Sequence, residues 1–201
     1  DWDFCLGVNL GGVINGIHTF VPRMVAHGQG GHIVNTSSAG GLTASASAGL
    51  YCTSKYAVVG LSESLRAELK DQGIGVSAYC PSAVQSELFE STAVVRPAEL
   101  ADTGAAPPPA PDFATRAASP IFASAMTAEE SGERVLNGIR RNDMYILTHP
   151  EIGKMLDTRA RAIMAALPDE PPNEARIAAM GDSRHLALYE EQIAKPRPTA
   201  P

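Results

Sequence analysis

The stretch from His32 to Lys55 reads HIVNTSSAGGLTASASAGLYCTSK, and its character changes twice. HIVNTSS is a short β-branched run that passes into serines, the pattern of a buried strand leaving into a loop. Ala39 to Gly49 is almost all Gly, Ala, Ser and Thr, a composition that lets another backbone or a ligand come close. From Leu50 the pattern is helical. Tyr51 and Lys55, four positions apart, then share one face of that helix, one turn apart.

Working outward, the helix continues to about Gln72. Val58, Leu61, Leu65 and Leu69 mark its buried stripe, while Glu63, Arg66 and Lys70 fall on the wet side and Glu68 near the stripe's edge. Gly73 stops it. IGVSAYC follows as a strand with Ile74, Val76 and Ala78 on one face, ended by Pro81. Upstream, Leu6, Leu10, Val13, Ile14, Ile17, Val21 and Met24 recur near a 3.6 period, so Asp3 to His27 reads as one helix that Pro22 could kink. Helix, strand, helix, strand with short connections is the α/β order of a parallel sheet.

Beyond Val84 the periodicity is lost. Glu87 to Ser119 carries no sustained pattern, and Ala101 to Asp112 is Pro/Ala-rich, so residues 87–126 read as a substrate-binding loop or lid. Thr127 and Glu130 have capping-box spacing ahead of a helix. Met144 to Leu147 reads as a last strand, with helices near Ile152 to Leu167 and Asn173 to Ile193. No internal repeat is present.

Composition bounds the function. The 201 residues carry a net charge of -6, 44% hydrophobic and 19% charged residues, and no basic run, which argues against nucleic acid and anionic membranes as partners. No uninterrupted run of about 18 apolar residues predicts a membrane span, and the N-terminus lacks signal-peptide character. Cys5, Cys52 and Cys80 form no disulfide framework, which fits a reducing, cytoplasmic setting. The five histidines have no metal-ligand spacing, so no metal is expected. No G-x-S-x-G turn supports a serine hydrolase.

The chemistry gathers at one sheet edge. Ligands of parallel α/β sheets bind beyond the carboxyl ends of the strands. Ser37 and Ser38, the start of the Tyr51 helix, and Cys80 to Ser86 (CPSAVQS) all lie there. Tyr-x-x-x-Lys alone is a weak signal. Together with VNLGG, GGHIVNTSS and YCPSAVQS, in this order and spacing, it resembles the short-chain dehydrogenase/reductases. The likeness covers Asp1 to Glu87 and extends through Thr127 to Leu147.

That resemblance implies a Rossmann-like, doubly wound parallel sheet. Residues 1–150 would be the catalytic part of a single domain and 151–201 its helical extension. It implies NAD or NADP as cofactor, a small alcohol or ketone as substrate, and a homo-oligomer, dimer or tetramer. Tyr51 becomes the acid/base, Lys55 lowers its pKa and bonds the cofactor ribose, and Ser38 polarises the carbonyl, with Ser37 the lesser choice. Asn9 matches the asparagine that holds a water near the lysine. Asn35 matches a second, structural one. Pro81, Ser82, Val84 and Ser86 match the segment that meets the nicotinamide, with Ser82 where the family has glycine and Ser86 where it has threonine. NLGGVINGIHTFVPRM and THPE are similar to the branch that oxidises bulky aryl secondary alcohols. Steroid, sugar-derived and acyl-thioester substrates stay open. The family's phosphate-binding glycine loop is not found in these residues, so the selector between NAD and NADP is not readable. The expectation is a piece of a longer enzyme, or a record without its N-terminal part. The alternative is a truncated, non-catalytic binding or oligomerisation module.

Overall fold

The computed structural model describes residues 1–46, 48–88, 91, 95–100, 120–180 and 184–199. Most of the expected loop at 87–126, including the Pro/Ala-rich piece, lies outside the described residues. Three parallel strands, β1 (Gly31–Thr36), β2 (Ile74–Cys80) and β3 (Tyr145–Leu147), form a sheet in the order β1-β2-β3. Asn35 stands opposite Ala78 and Cys80 opposite Leu147. The crossovers between them carry α2 (Gly49–Leu69) and α3 (Ala128–Arg140). This is the parallel α/β layering the element order predicts.

The long helix α1 (Trp2–His27) precedes the sheet. It ends where Gly28 turns left-handed at φ 64 and donates its N–H to the Val25 carbonyl, as αL caps do. The periodicity predicts a plain helix, but Gly7–Gly11 winds as a π turn with Asn9 at its centre. Glycine on both sides of the asparagine lowers the cost of that irregular turn. By length and composition α1 could cross a membrane, with a mean hydropathy of 1.4 over its most apolar window. The expectation of no such segment rested on unbroken apolar runs, whereas here scattered Gly, Thr and Asn interrupt a helix nearly free of charge. In this fold Ile17, Val21 and Met24 of α1 pack on Leu65, Leu69, Ile74 and Val76.

Leu65 and Leu69 are buried as the stripe predicts, and so is Val58. Arg66 is not on the wet side: it is 7% exposed. Its guanidinium donates to the carbonyls of Val76 (2.7 Å) and Asn142 (2.8 Å). Glu63 is also drawn in, accepting from the hydroxyls of Tyr145 (2.5 Å) and Tyr189 (3.0 Å). Tyr189 lies on α6 (Arg184–Ala194), which among the described residues follows α4 (Gly153–Met164) and α5 (Glu174–Ala179). α6 seats Leu188 against Ala67 and Met144. A second layer thus covers the side of α2 that a single amphipathic stripe leaves to water. β2 is likewise buried on both faces, Ser77 and Cys80 as fully as Val76, which is usual for the middle strand of a parallel sheet.

Candidate active site

Beyond Thr36 the β1–β2 pairing continues into the loops. The Ser37 N–H donates to the Tyr79 carbonyl (2.7 Å) and the Ala39 N–H to the Pro81 carbonyl (2.8 Å). The serine loop and the CPSAVQS segment therefore leave the sheet side by side. The serine loop then folds onto the first turns of α2. A Cβ on Gly41 would stand 2.6 Å from the Lys55 carbonyl oxygen. One on Gly40 would stand 3.2 Å from Tyr51 Cε1 and 3.6 Å from Ser38 Oγ. At Gly41 only glycine permits that approach, and at Gly40 Ser38 and Tyr51 flank the same point.

The two serines divide their work. Ser37 is buried and donates its hydroxyl to the Lys55 carbonyl (2.8 Å). Ser38 is half-exposed, and its Oγ accepts from the Gly40 N–H (3.1 Å), which leaves its proton to give. Tyr51 is 37% exposed. Lys55 Nζ lies 5.8 Å from the Tyr51 ring centroid and donates to the Thr36 carbonyl at 3.2 Å. Burial pulls Lys55 below the usual lysine range, against the opposing pull of Cys5 and Cys80. Cys5, Cys52 and Cys80 are all free thiols, and burial pushes Cys80 up to about 11.

Asn9 reaches the same place from α1. Its amide donates to Ser54 Oγ at 3.0 Å, and Ser54 donates to the Tyr51 carbonyl at 2.7 Å. Asn9, Thr36 and Lys55 line one open groove of about 590 Å³ between α1 and β1. Asn35, the structural match, lines the same groove and donates to Ser62 (3.0 Å).

The CPSAVQS segment is pinned from two sides. The Ser82 N–H donates to Thr148 Oγ1 (3.2 Å), just past β3. Val84 bridges in parallel to Met126, with Met126 N–H to Ala83 at 3.0 Å and Gln85 N–H to Met126 at 2.9 Å. Among the described non-glycine residues only Asn142 has a positive φ. Ser82 thus occupies the glycine position without left-handed strain. Ser86 is exposed. Pro81, Ser82 and Val84 fall at the sheet edge beside Ser38, as their order predicts. Among the described residues no group of three His, Cys, Asp or Glu side chains could hold a metal ion.

Ser54 and Thr148 are the site-supporting residues that the sequence pattern does not single out. Ser54 stands inside YCTSK, and a small polar residue three positions after the tyrosine is its only signal.

A Rossmann-type parallel sheet with a Ser, Tyr and Lys cluster at the carboxyl ends of its strands defines the class. The short chain dehydrogenase family model matches residues 1–94. The C alpha-dehydrogenase of Sphingobium sp. strain SYK-6 is 38% identical over 164 residues, 82% of this chain and 52% of that protein. Two solved structures are similar over most of this chain. A short chain dehydrogenase/reductase from Burkholderia phymatum, in complex with NAD, is 30% identical, with a TM-score of 0.72 over 86% of this chain and 62% of that one. LigD in its apo form, from Sphingobium sp. strain SYK-6, is 32% identical, with a TM-score of 0.63 over 85% of this chain and 56% of that one. The chain belongs to the short-chain dehydrogenase/reductase family. It spans about half the length of the curated C alpha-dehydrogenase it matches.

Proposed function

We propose that this chain carries the catalytic part of an NAD(P)-dependent oxidoreductase that interconverts a secondary alcohol and a ketone. The nicotinamide, when bound, supplies the hydride chemistry. Tyr51 exchanges the proton with the substrate oxygen, and Lys55 is its neighbouring cation. Ser38 donates its uncommitted hydroxyl to that oxygen, where negative charge develops on reduction. Asn9 lines the same groove as Lys55. Pro81, Ser82, Val84 and Ser86 suit the nicotinamide end of the cofactor, and Lys55 its ribose.

The carrying observation is the division between the serines. Ser37 is spent on the α2 backbone, while Ser38 keeps a free proton beside the Tyr51 ring. A merely structural loop would have no need to hold that hydroxyl half-exposed next to a phenol and a lysine.

For the substrate, a bulky aryl secondary alcohol is the proposed class. Its support is the likeness to the C alpha-dehydrogenase, together with the helix NLGGVINGIHTFVPRM and the THPE segment.

The test uses the full-length protein. Thermal shift with NADH and NADPH reads cofactor binding, and absorbance of the reduced cofactor reads oxidation of benzylic secondary alcohols. Tyr51→Phe should keep the cofactor-induced shift and lose turnover by about 100-fold or more. Unchanged turnover in that variant overturns the mechanism. A native protein with no response to either cofactor favours the binding or oligomerisation module.

A further inference from the structure

Two relays of the same chemistry run into α2. In the first, the Asn9 amide donates to Ser54 Oγ (3.0 Å), which donates to the Tyr51 carbonyl (2.7 Å). In the second, the Asn35 amide donates to Ser62 Oγ (3.0 Å), which donates to the Val58 carbonyl (2.7 Å). Ser54 is 0% and Ser62 2% exposed. A serine hydroxyl has one proton. With that proton on a carbonyl, each Oγ can only accept from its asparagine, so the direction of both relays is fixed.

Both asparagines line one groove with Lys55, but the two serines differ in place. Asn35, next to last in β1, is joined to Ser62, about two helical turns beyond Lys55 on α2. Asn9 is the centre of the π turn of α1, and Ser54 sits between Tyr51 and Lys55 in sequence. π turns are seldom kept without a local reason. Here the Asn9 amide reaches Cys5 Sγ on its own helix at 3.5 Å and, more closely, the buried Ser54 hydroxyl of α2 at 3.0 Å. The groove on the other side of that contact is shared by Asn9, Thr36 and Lys55.

We infer that Ser54 is a positioning residue for proton exchange at the site, holding the Asn9 turn of α1 at a fixed distance from Lys55. The inference rests on the alcohol–ketone reading above. Ser54 touches neither substrate nor cofactor. It acts by locking Asn9 to the turn of α2 that carries Tyr51 and Lys55. Without it, the amide of Asn9 has no partner across the helix pair, and water enters beside the ammonium. Lys55, now held low by burial, would then return upward toward the ordinary lysine range.

Ser62→Ala is the matched control, because it breaks the same kind of relay away from the ammonium. In the full-length protein, competitive acetylation read by mass spectrometry across pH gives the titration midpoint of Lys55 without any substrate. Ser54→Ala should raise that midpoint by about half a unit or more, while Ser62→Ala leaves it in place. Oxidation of 1-phenylethanol with NAD or NADP adds a second readout. There Ser54→Ala should lower kcat about tenfold with KM within about twofold, the pattern of lost positioning rather than lost binding. Ser54→Cys keeps a donor of nearly the same shape, so it should restore most of the effect. If Ser54→Ala does not fold, Asn9→Ala breaks the same contact from its other end and should raise the midpoint likewise. An unmoved Lys55 midpoint in Ser54→Ala, or in Asn9→Ala standing in for it, or an equal movement in Ser62→Ala, overturns the inference. Turnover that survives Tyr51→Phe removes the alcohol–ketone reading instead, and leaves the Lys55 comparison to be judged by itself.

Discussion

At the scale of single residues, the site depends on what is missing from Gly40 and Gly41. A methyl at Gly41 would meet the Lys55 carbonyl oxygen at 2.6 Å, and backbone in the middle of a helix cannot step aside. Gly41→Ala should therefore cost about 1–3 kcal/mol and push the Ser38 loop off α2. The expected result is a lower unfolding midpoint together with lost turnover. Gly49→Ala is the comparison, since nothing lies within 4 Å of the added methyl and alanine is the better helix former. If the two alanines behave alike, the close approach is not what places Ser38. The sequence showed that the loop was built of small residues, and the family resemblance pointed to Ser38, Tyr51 and Lys55 as candidates. It could not show that Ser37 is spent on a carbonyl, because that bond joins positions 18 apart in the chain.

At the scale of elements, the local signals held and the tertiary ones were only half visible. Thr127 caps α3, its hydroxyl oxygen accepting from the Glu130 N–H at 3.1 Å, as the Thr-x-x-Glu spacing predicts. Thr127→Ala should lower stability by about 1 kcal/mol, read as a shifted urea midpoint with an unchanged slope and unchanged cofactor binding. A loss of cofactor binding at full stability would mean that α3 does more than close the β2–β3 crossover. Capping is legible because donor and acceptor are three residues apart. Arg66 is the opposite case. Helical periodicity put it on the wet side, since a stripe of apolar residues identifies the face that meets the sheet but not what covers the other faces. The carbonyl of Asn142 and the tyrosines around Glu63 arrive from far along the chain. Tyr145 shows the effect on chemistry: burial, then the hydrogen bond to Glu63, hold its phenol far above the ordinary tyrosine range.

At the scale of the whole molecule, His32 is where separate segments meet. Its Nε2 lies 2.7 Å from Ser77 Oγ, and Ser77 in turn donates to the Asp143 carbonyl. With the serine proton committed there, His32 is the donor through its Nε2–H. Burial, then the positive charges of Arg66 on α2 and Lys195 after α6, hold the imidazole below its ordinary 6.5, and Asp143 opposes them only in part. The unfolded chain takes up a proton near 6.5 and the folded chain resists it. Stability from this group is therefore complete above about pH 6.5 and is lost as pH falls from there through the folded pKa. Unfolding midpoints between about pH 5 and 8 should fall on the acid side, and the fall should be smaller in His32→Gln. An acid limb of equal size in both proteins would place the proton uptake elsewhere. What the amino-acid sequence determined by itself was the alternation of helix and strand and the parallel sheet, which rest on periodicity, caps and spacings that act within a few residues; Asn9, Ser38, Tyr51 and Lys55 it offered as candidates through the family resemblance. What only the tertiary structure decided was which hydroxyl keeps a free proton, which turn of α1 meets Ser54, and which charged side chains are buried. Those outcomes depend on groups brought together across tens of residues, where packing rather than local propensity sets the partner.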